Sequence, residues 1–129
     1  MKKELITQLH KQFDAIVNVW PDSEVEFWYA RDLQNMLGYV QWRNFLEVID
    51  KAKTACENSG VNALNHFADV SKMVKIGSDA ERPVDDIILT RYACYLIAQN
   101  GDPRKDQIAF AQSYFAIQTR KQEIIEERI

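Results

Sequence analysis

A chain of 129 residues can bury a core without disulfide or metal staples, and 47% hydrophobic with 27% charged residues is the balance of a globular protein, not of a disordered segment. Sixteen Lys and Arg against nineteen Asp and Glu leave a net charge of −3. That removes the overall basic surplus by which many nucleic-acid binders supply their affinity, so any phosphate contact must come from cations that folding gathers on one face.

The first periodic stretch, residues 4–19, sets Leu5, Leu9, Phe13, Ile16 and Val17 at helical spacing and predicts an amphipathic helix. Pro21 in "NVWPD" ends it by biasing Trp20 away from helix. "EVEFWY" alternates Val25 and Phe27 with Glu24 and Glu26, a short half-buried strand. "ARDLQNML" reads as a short helix with Ala30, Leu33 and Leu37 on one face and Gly38 as its left-handed stop. A longer helix starts near Trp42 and carries Phe45, Leu46, Ile49, Ala52 and Cys56 as its buried stripe before "ENSG". After the small segment "NALNHF", the runs "VSKMVKI" and "PVDDIIL" flank the polar tip "GSDAER" and predict a β-hairpin. Thr90 is the expected N-cap of "RYACYLIAQN", where Tyr92, Leu96 and Gln99 share a face and Gly101 closes the helix. Asp102 and Pro103 are a second helix start, leading from about Arg104 into a helix with Ile108, Ala111 and Phe115 on one side and Phe110, Tyr114 and Ile117 beside them. These elements predict a mainly helical α+β domain with a small antiparallel sheet. Phe27, Leu33, Leu37 and Phe45 are expected in the core, and Trp28 and Tyr39 at its edge.

Several chemistries find no support. Four unclustered glycines provide no phosphate cradle before a helix. His10, His66, Cys56 and Cys94 lack metal-ligand spacing, so no metal site is expected. Cys94, between Ala93 and Tyr95 of an apolar helix, reads as a small buried hydrophobe. Asp85 and Asp86 are followed by Arg91 but by no third acid or Lys, so the carboxylate cluster of a Mg²⁺ nuclease is incomplete and both acids are expected to face solvent. No catalytic residue and no cofactor are expected. No stretch approaches the ~20 apolar residues of a membrane helix, and "MKKELITQLH" has positive residues without an apolar signal-peptide core. Two lone cysteines then read as reduced thiols of a cytoplasmic protein without a membrane partner.

What remains is recognition. "ARDLQNMLGYVQWRNFLEVI" has the layout of two helices joined by a short turn, a helix-turn-helix in which the second helix presents Gln41, Arg43, Asn44 and Glu47. Arg and Asn can each bond two base-edge groups at once. Lys72, Lys75 and Arg82 lie on the hairpin as a candidate phosphate-contacting wing, although Lys72 and Lys75 should face opposite sides of a strand. Arg31, Arg91, Arg104 and Lys105 are single cations, each able to meet either a phosphate or a local carboxylate.

Two stretches go beyond generic pattern. "FWYARDLQNMLGYVQWRNFLEVIDKAKTACENSG" resembles the opening of the N-terminal domain of the BRO family, which occurs in phage antirepressor and baculovirus-repeat proteins. "DDIILTRYACYLIAQNGDPRKDQIAFAQSYFAIQTRKQE" resembles its closing half. The similarity is densest in "YACYLIAQNGDP" and "YFAIQTR" and runs roughly from Trp28 to Gln122. It departs from the general pattern where Tyr114-Phe115 and Arg120-Lys121 stand in place of a Trp and a basic run. The resemblance is strongest to bacterial members induced by DNA damage. It implies a Bro-N-like, non-enzymatic, DNA-binding type of domain acting in the SOS response, with DNA, a recombination or repair protein, or both as partner. An antirepressor-like protein-interaction module without DNA contact is the alternative, and a homodimer through the last helix stays open. Residues 1–129 are expected to be one domain, with 1–24 as a helical extension and 122–129 as the start of a helix leading into a further C-terminal region.

Overall fold

The first helix, α1 (Lys2–Ala15), stops short of the predicted Val19 because Asn18 and Val19 form a strand, β1, instead. They pair antiparallel with β2 (Glu26–Tyr29), Asn18 opposite Phe27 and Val19 opposite Glu26. The loop between them closes by Trp20 N–H donating to Val25 O at 3.0 Å, with Asp22 in the left-handed region at φ 60°, a conformation that a short polar side chain tolerates. The computed structural model describes the backbone of residues 2–128 and the side chains of Glu4 and of residues 7–117. Leu5 and the stretch 122–129, both assigned roles from sequence, lie outside the described side chains.

Helix α2 (Ala30–Met36) follows β2 directly and ends as predicted, Gly38 turning left-handed at φ 79° after Leu37 N–H bonds Leu33 O. Helix α3 (Trp42–Asn58) buries Phe45, Ile49, Ala52 and Cys56, with Leu46 half-buried alongside. "NALNHF" forms one 3₁₀ turn at Ala63–Asn65, where the Asn62 side chain accepts from Leu64 N–H. The hairpin strands are longer than their sequence signals, β3 running Phe67–Lys75 and β4 Glu81–Leu89. Thr90 caps α4 (Arg91–Asn100), its hydroxyl accepting from Ala93 N–H at 3.1 Å. Asp102 caps a turn rather than a helix: Arg104 N–H bonds its carboxylate, Lys105 N–H bonds its carbonyl, and α5 begins at Asp106 and continues to Arg128.

Among the described residues the result is an α+β fold of five α-helices and a four-stranded antiparallel sheet in the order β1-β2-β4-β3. The β2–β4 pairing joins distant parts of the chain, Trp28 opposite Leu89 and Tyr29 opposite Ile88. Since strand side chains alternate between faces, Trp28, Phe67, Ile87 and Leu89 share the inner face and enter the core with the helices. Helix α3 packs on α4 and α1 on α5. Trp28 is fully buried rather than at the core edge: its indole N–H donates to Phe13 O at 3.0 Å and its ring stacks on Phe13 at 4.5 Å. Such a pair is worth ~1 kcal/mol beyond its buried area. Tyr39 is buried too, its hydroxyl accepting from Asp102 N–H and so tying the α2–α3 turn to the α4–α5 connection. Among the described residues no helix is long and apolar enough to cross a membrane.

Candidate nucleic-acid interface

The two-helix layout forms as the spacing predicts: Leu33 and Leu37 of α2 and Phe45 and Ile49 of α3 all lie in one buried cluster. The turn between the helices therefore sits at the surface, with Val40 94% exposed. Gln41, Arg43 and Asn44 are all exposed there. Their side chains make no hydrogen bond or ion pair among the described residues, so all three are free to meet a ligand. The N-terminus of α3 reinforces them. Gln41 gives no side-chain cap and the first turn holds no acid, which leaves backbone N–H groups and the positive end of the helix dipole open to an anion.

The hairpin is brought to this helix start by Arg31, expected from sequence only as a single cation able to meet a phosphate or a local carboxylate. Its guanidinium Nε–H donates to Asp85 O on β4 at 2.7 Å, and its Cζ lies over the ring of Trp42, the first residue of α3, at 4.2 Å from the ring centre. One planar cation thus couples strand and helix, using the stacking and fixed donor fork that distinguish Arg from Lys.

Asp86 corrects an expectation. It is 1% exposed, not solvent-facing, while Asp85 is exposed as expected. One carboxylate oxygen accepts from Arg31 N–H at 3.1 Å and from Ile87 N–H at 2.8 Å. Tyr29, at the N-cap of α2, offers no side-chain cap, so a carboxylate from a different strand takes that part. The other oxygen, Oδ2, is buried without a hydrogen-bond partner. A signal for this was present in sequence: Asp86 directly precedes the apolar "IIL", where alternation alone leaves the direction of an acid open.

The remaining cations divide into free and engaged. Lys72 sits 4.0 Å above the Tyr29 ring. Lys75 and Arg82 are exposed near the hairpin tip, and Lys72 and Lys75 do face opposite sides. Arg104 is exposed but held by Asp102 in a two-point ion pair at 2.9 to 3.2 Å. Those hydrogen bonds lower the Asp102 carboxyl to about 2. Lys105 donates to Gly38 O at 3.3 Å and lies over the Tyr39 ring, so it serves the α2–α3 turn. Arg91 bonds Glu26 and lies over Phe13 and Trp28. Structure thus assembles Gln41, Arg43 and Asn44 beside Arg31 and the hairpin, and gives Arg104, Lys105 and Arg91 internal partners.

Among the described residues, other chemistry finds no assembled site. Among the described residues no group of His, Cys, Asp and Glu could hold a metal ion. Both thiols are free and buried, and burial pushes Cys94 and Cys56 above the ordinary thiol range, with the Glu57 charge adding to the effect at Cys56. His66 bonds the Thr90 hydroxyl at 2.7 Å, and His10 pairs with Asp14 on the surface of α1. An open groove of about 620 Å³ runs between α3 and β3, lined by Lys53, Glu57, Leu64 and Asp69 among others. It holds no convergent set of catalytic groups.

The family model for the N-terminal domain of the BRO family (Bro-N) matches residues 15–116. DNA damage-inducible protein D of Escherichia coli (strain K12) is 50% identical over 118 residues, 92% of this chain and 43% of that relative. The chain therefore spans less than half the length of the curated relative it matches. No solved structure matches it.

Proposed function

This chain belongs to the BRO family as an N-terminal (Bro-N) domain, and from that premise we propose that it is a non-enzymatic, DNA-associated domain of a DNA-damage-inducible protein of the SOS response. Its task in that reading is to bind DNA, in support of or in control of recombination and repair. The observation that carries it is the unengaged polar turn Gln41, Arg43 and Asn44 at an uncapped helix N-terminus, braced against the hairpin by Arg31. Backbone N–H groups and Arg31 would hold phosphates, while Arg43 and Asn44 would reach base edges, and Lys72, Lys75 and Arg82 would add phosphate contacts from the hairpin.

Fluorescence anisotropy with a labelled duplex tests this directly. Binding should weaken steeply with salt, and Arg43→Ala should weaken it by about 1–3 kcal/mol if the contact is to a base, or lower the slope of log affinity against log salt by about 1 if it is to a phosphate. Absent or salt-insensitive binding, or an Arg43→Ala variant that binds as the parent does, would sink the reading.

A second reading is a protein-interaction module acting on a recombination or repair protein or on a phage repressor. Val40, almost wholly exposed at the tip of the same turn, favours it. Capture of a protein partner from nuclease-treated lysate that is lost on Val40→Asp but kept on Arg43→Ala would select this reading.

A further inference from the structure

We propose that the outer face of the sheet binds single-stranded nucleic acid, with Trp20 as the ring on which an unpaired base stacks and with Lys72 and Arg82 as phosphate contacts. This surface shares the hairpin cations Lys72 and Arg82 with the duplex reading but no base-contacting residue, so Trp20→Ala and Arg43→Ala tell the two apart.

Side chains of β2 alternate between the two faces of the sheet. Trp28 faces the core, so Phe27 and Tyr29 face outward. Trp20 stacks on Phe27 with ring centres 4.6 Å apart and planes at 28°, and Tyr29 meets Phe27 edge-on at 5.5 Å. Phe27 is buried beneath its neighbours, whereas Trp20 keeps 44% of its surface open. An indole braced from behind by another ring and open in front is a rigid stacking platform, and every base has a face to offer it.

The track continues into cations. Lys72 lies over Tyr29 at 4.0 Å. It pairs with Val84 while Arg82 pairs with Val74, which makes Lys72 and Arg82 diagonal neighbours about 7 Å apart on the same face. That is a separation two successive phosphates of an extended strand can match. Charge is sorted between the two sides of the sheet. On the outer face the charged strand residues that reach solvent are Lys72, half-buried over Tyr29, and Arg82, exposed near the hairpin tip, since Asp86, the acid there, is buried against α2. Glu26, Asp69, Glu81 and Asp85 all fall on the opposite parity, together with Lys75. A polyanion is complementary to one side of this sheet and not to the other, which is the ground for choosing nucleic acid over a protein as the occupant.

The test is binding of labelled oligo-dT and oligo-U, each roughly 16 nucleotides long, to this chain, followed by anisotropy and by tryptophan fluorescence. Binding should quench the indole emission. Trp20→Ala should weaken it about 5- to 150-fold, and Lys72→Ala with Arg82→Ala should lower the salt slope by about 1.4, at ~0.7 per phosphate contact on a single strand. Arg43→Ala should leave single-strand binding intact whatever it does to a duplex. Binding of oligo-dT, oligo-U or both supports the surface and identifies the sugar it accepts. No binding to either, or an affinity that Trp20→Ala leaves unchanged, overturns it. Should Trp20→Ala lose its fold by circular dichroism, the double variant Lys72→Glu, Arg82→Glu decides: parental affinity for the oligonucleotides overturns the proposal, and loss supports it.

Discussion

Replacing Asp86 by Ala should be among the most costly single changes outside the apolar core, because one carboxylate oxygen serves two main-chain donors. Arg31 N–H and Ile87 N–H both point at Oδ1, at 3.1 and 2.8 Å. A buried donor left without an acceptor costs about 1–3 kcal/mol. The Ile87 bond is buried and the Arg31 bond partly so, which puts the first near the middle of that range and the second near its lower end. Removing the unpartnered Oδ2 returns part of the loss, so the net expectation is about 2–3 kcal/mol, large against the 5–15 kcal/mol of an ordinary domain. Asp86→Asn keeps an acceptor for both donors and places an amide where Oδ2 was, so it should cost only about 1 kcal/mol. Urea unfolding at pH 7 followed by circular dichroism reads both. With a slope of about 1–3 kcal/mol per molar, Asp86→Ala should lower the midpoint by about 1 M or more. A midpoint within error of the parent, or Asp86→Asn proving the worse of the two, would refute the capping argument. Because Arg31 ties β4 to Trp42, amide exchange at Arg31 should also quicken in Asp86→Ala ahead of the global transition.

Two glycines permit a matched comparison. Gly38 and Gly60 both lie in the left-handed region, at φ 79° and 82°; Gly60 is open, and a Cβ at Gly38 meets only the end of the exposed Gln107 side chain, at 3.0 Å, which can swing aside. Each Gly→Ala change should therefore cost about 1–2 kcal/mol from backbone strain, and a midpoint for Gly38→Ala far below that of Gly60→Ala would count against this. The Asp102 carboxyl lies at about 2 instead of 3.8 because Arg104 bonds its charged form, so the stability it contributes is present above the unfolded value near 4 and is lost as pH falls from there toward 2. A carbon-detected NMR titration should place Asp102 well below 3.8 in the parent and near it in Arg104→Ala; no difference between them would refute the pairing. Cys56 and Cys94 are buried with thiols pushed upward, so neither should react with Ellman's reagent at pH 8 until denaturant is added; one rapid equivalent in the folded protein would contradict that.

Local signals carried most of the elements. Gly38 stops α2 and Thr90 caps α4 where their chemistry required, and the buried stripe of α3 follows its spacing. What stayed hidden were effects of distant pairing. Ile16 and Val17 extend the helical period of α1, yet the chain leaves the helix because Asn18 and Val19 gain a strand partner in β2. Asp102 has the residue type and the following proline of a helix start, but its carboxylate is occupied by Arg104 within a turn. The free residues Gln41, Arg43 and Asn44 were legible because they lie on a locally defined helix start. Their brace was not, since Arg31 reaches a strand more than fifty residues away, its Nε–H meeting Asp85 O across a sequence separation of 54.

The outer face of the sheet shows most plainly why the balanced charge misleads. Period-two alternation in "VSKMVKI" and "PVDDIIL" sorts residues into two sets but leaves open which set is buried, because both sets contain apolar residues. Only the pairing of Trp28 with Leu89, and of Phe67 with Leu89 across β4, assigns one parity to the core. Once that is settled, Lys72 and Arg82 fall outward with Trp20 and Tyr29, and the exposed strand acids fall to the other side. A net charge of −3 is then the sum of two unlike surfaces. Phosphate responds to the cations within a Debye length, about 8 Å at physiological salt, and across that distance the composition of the whole chain carries little weight.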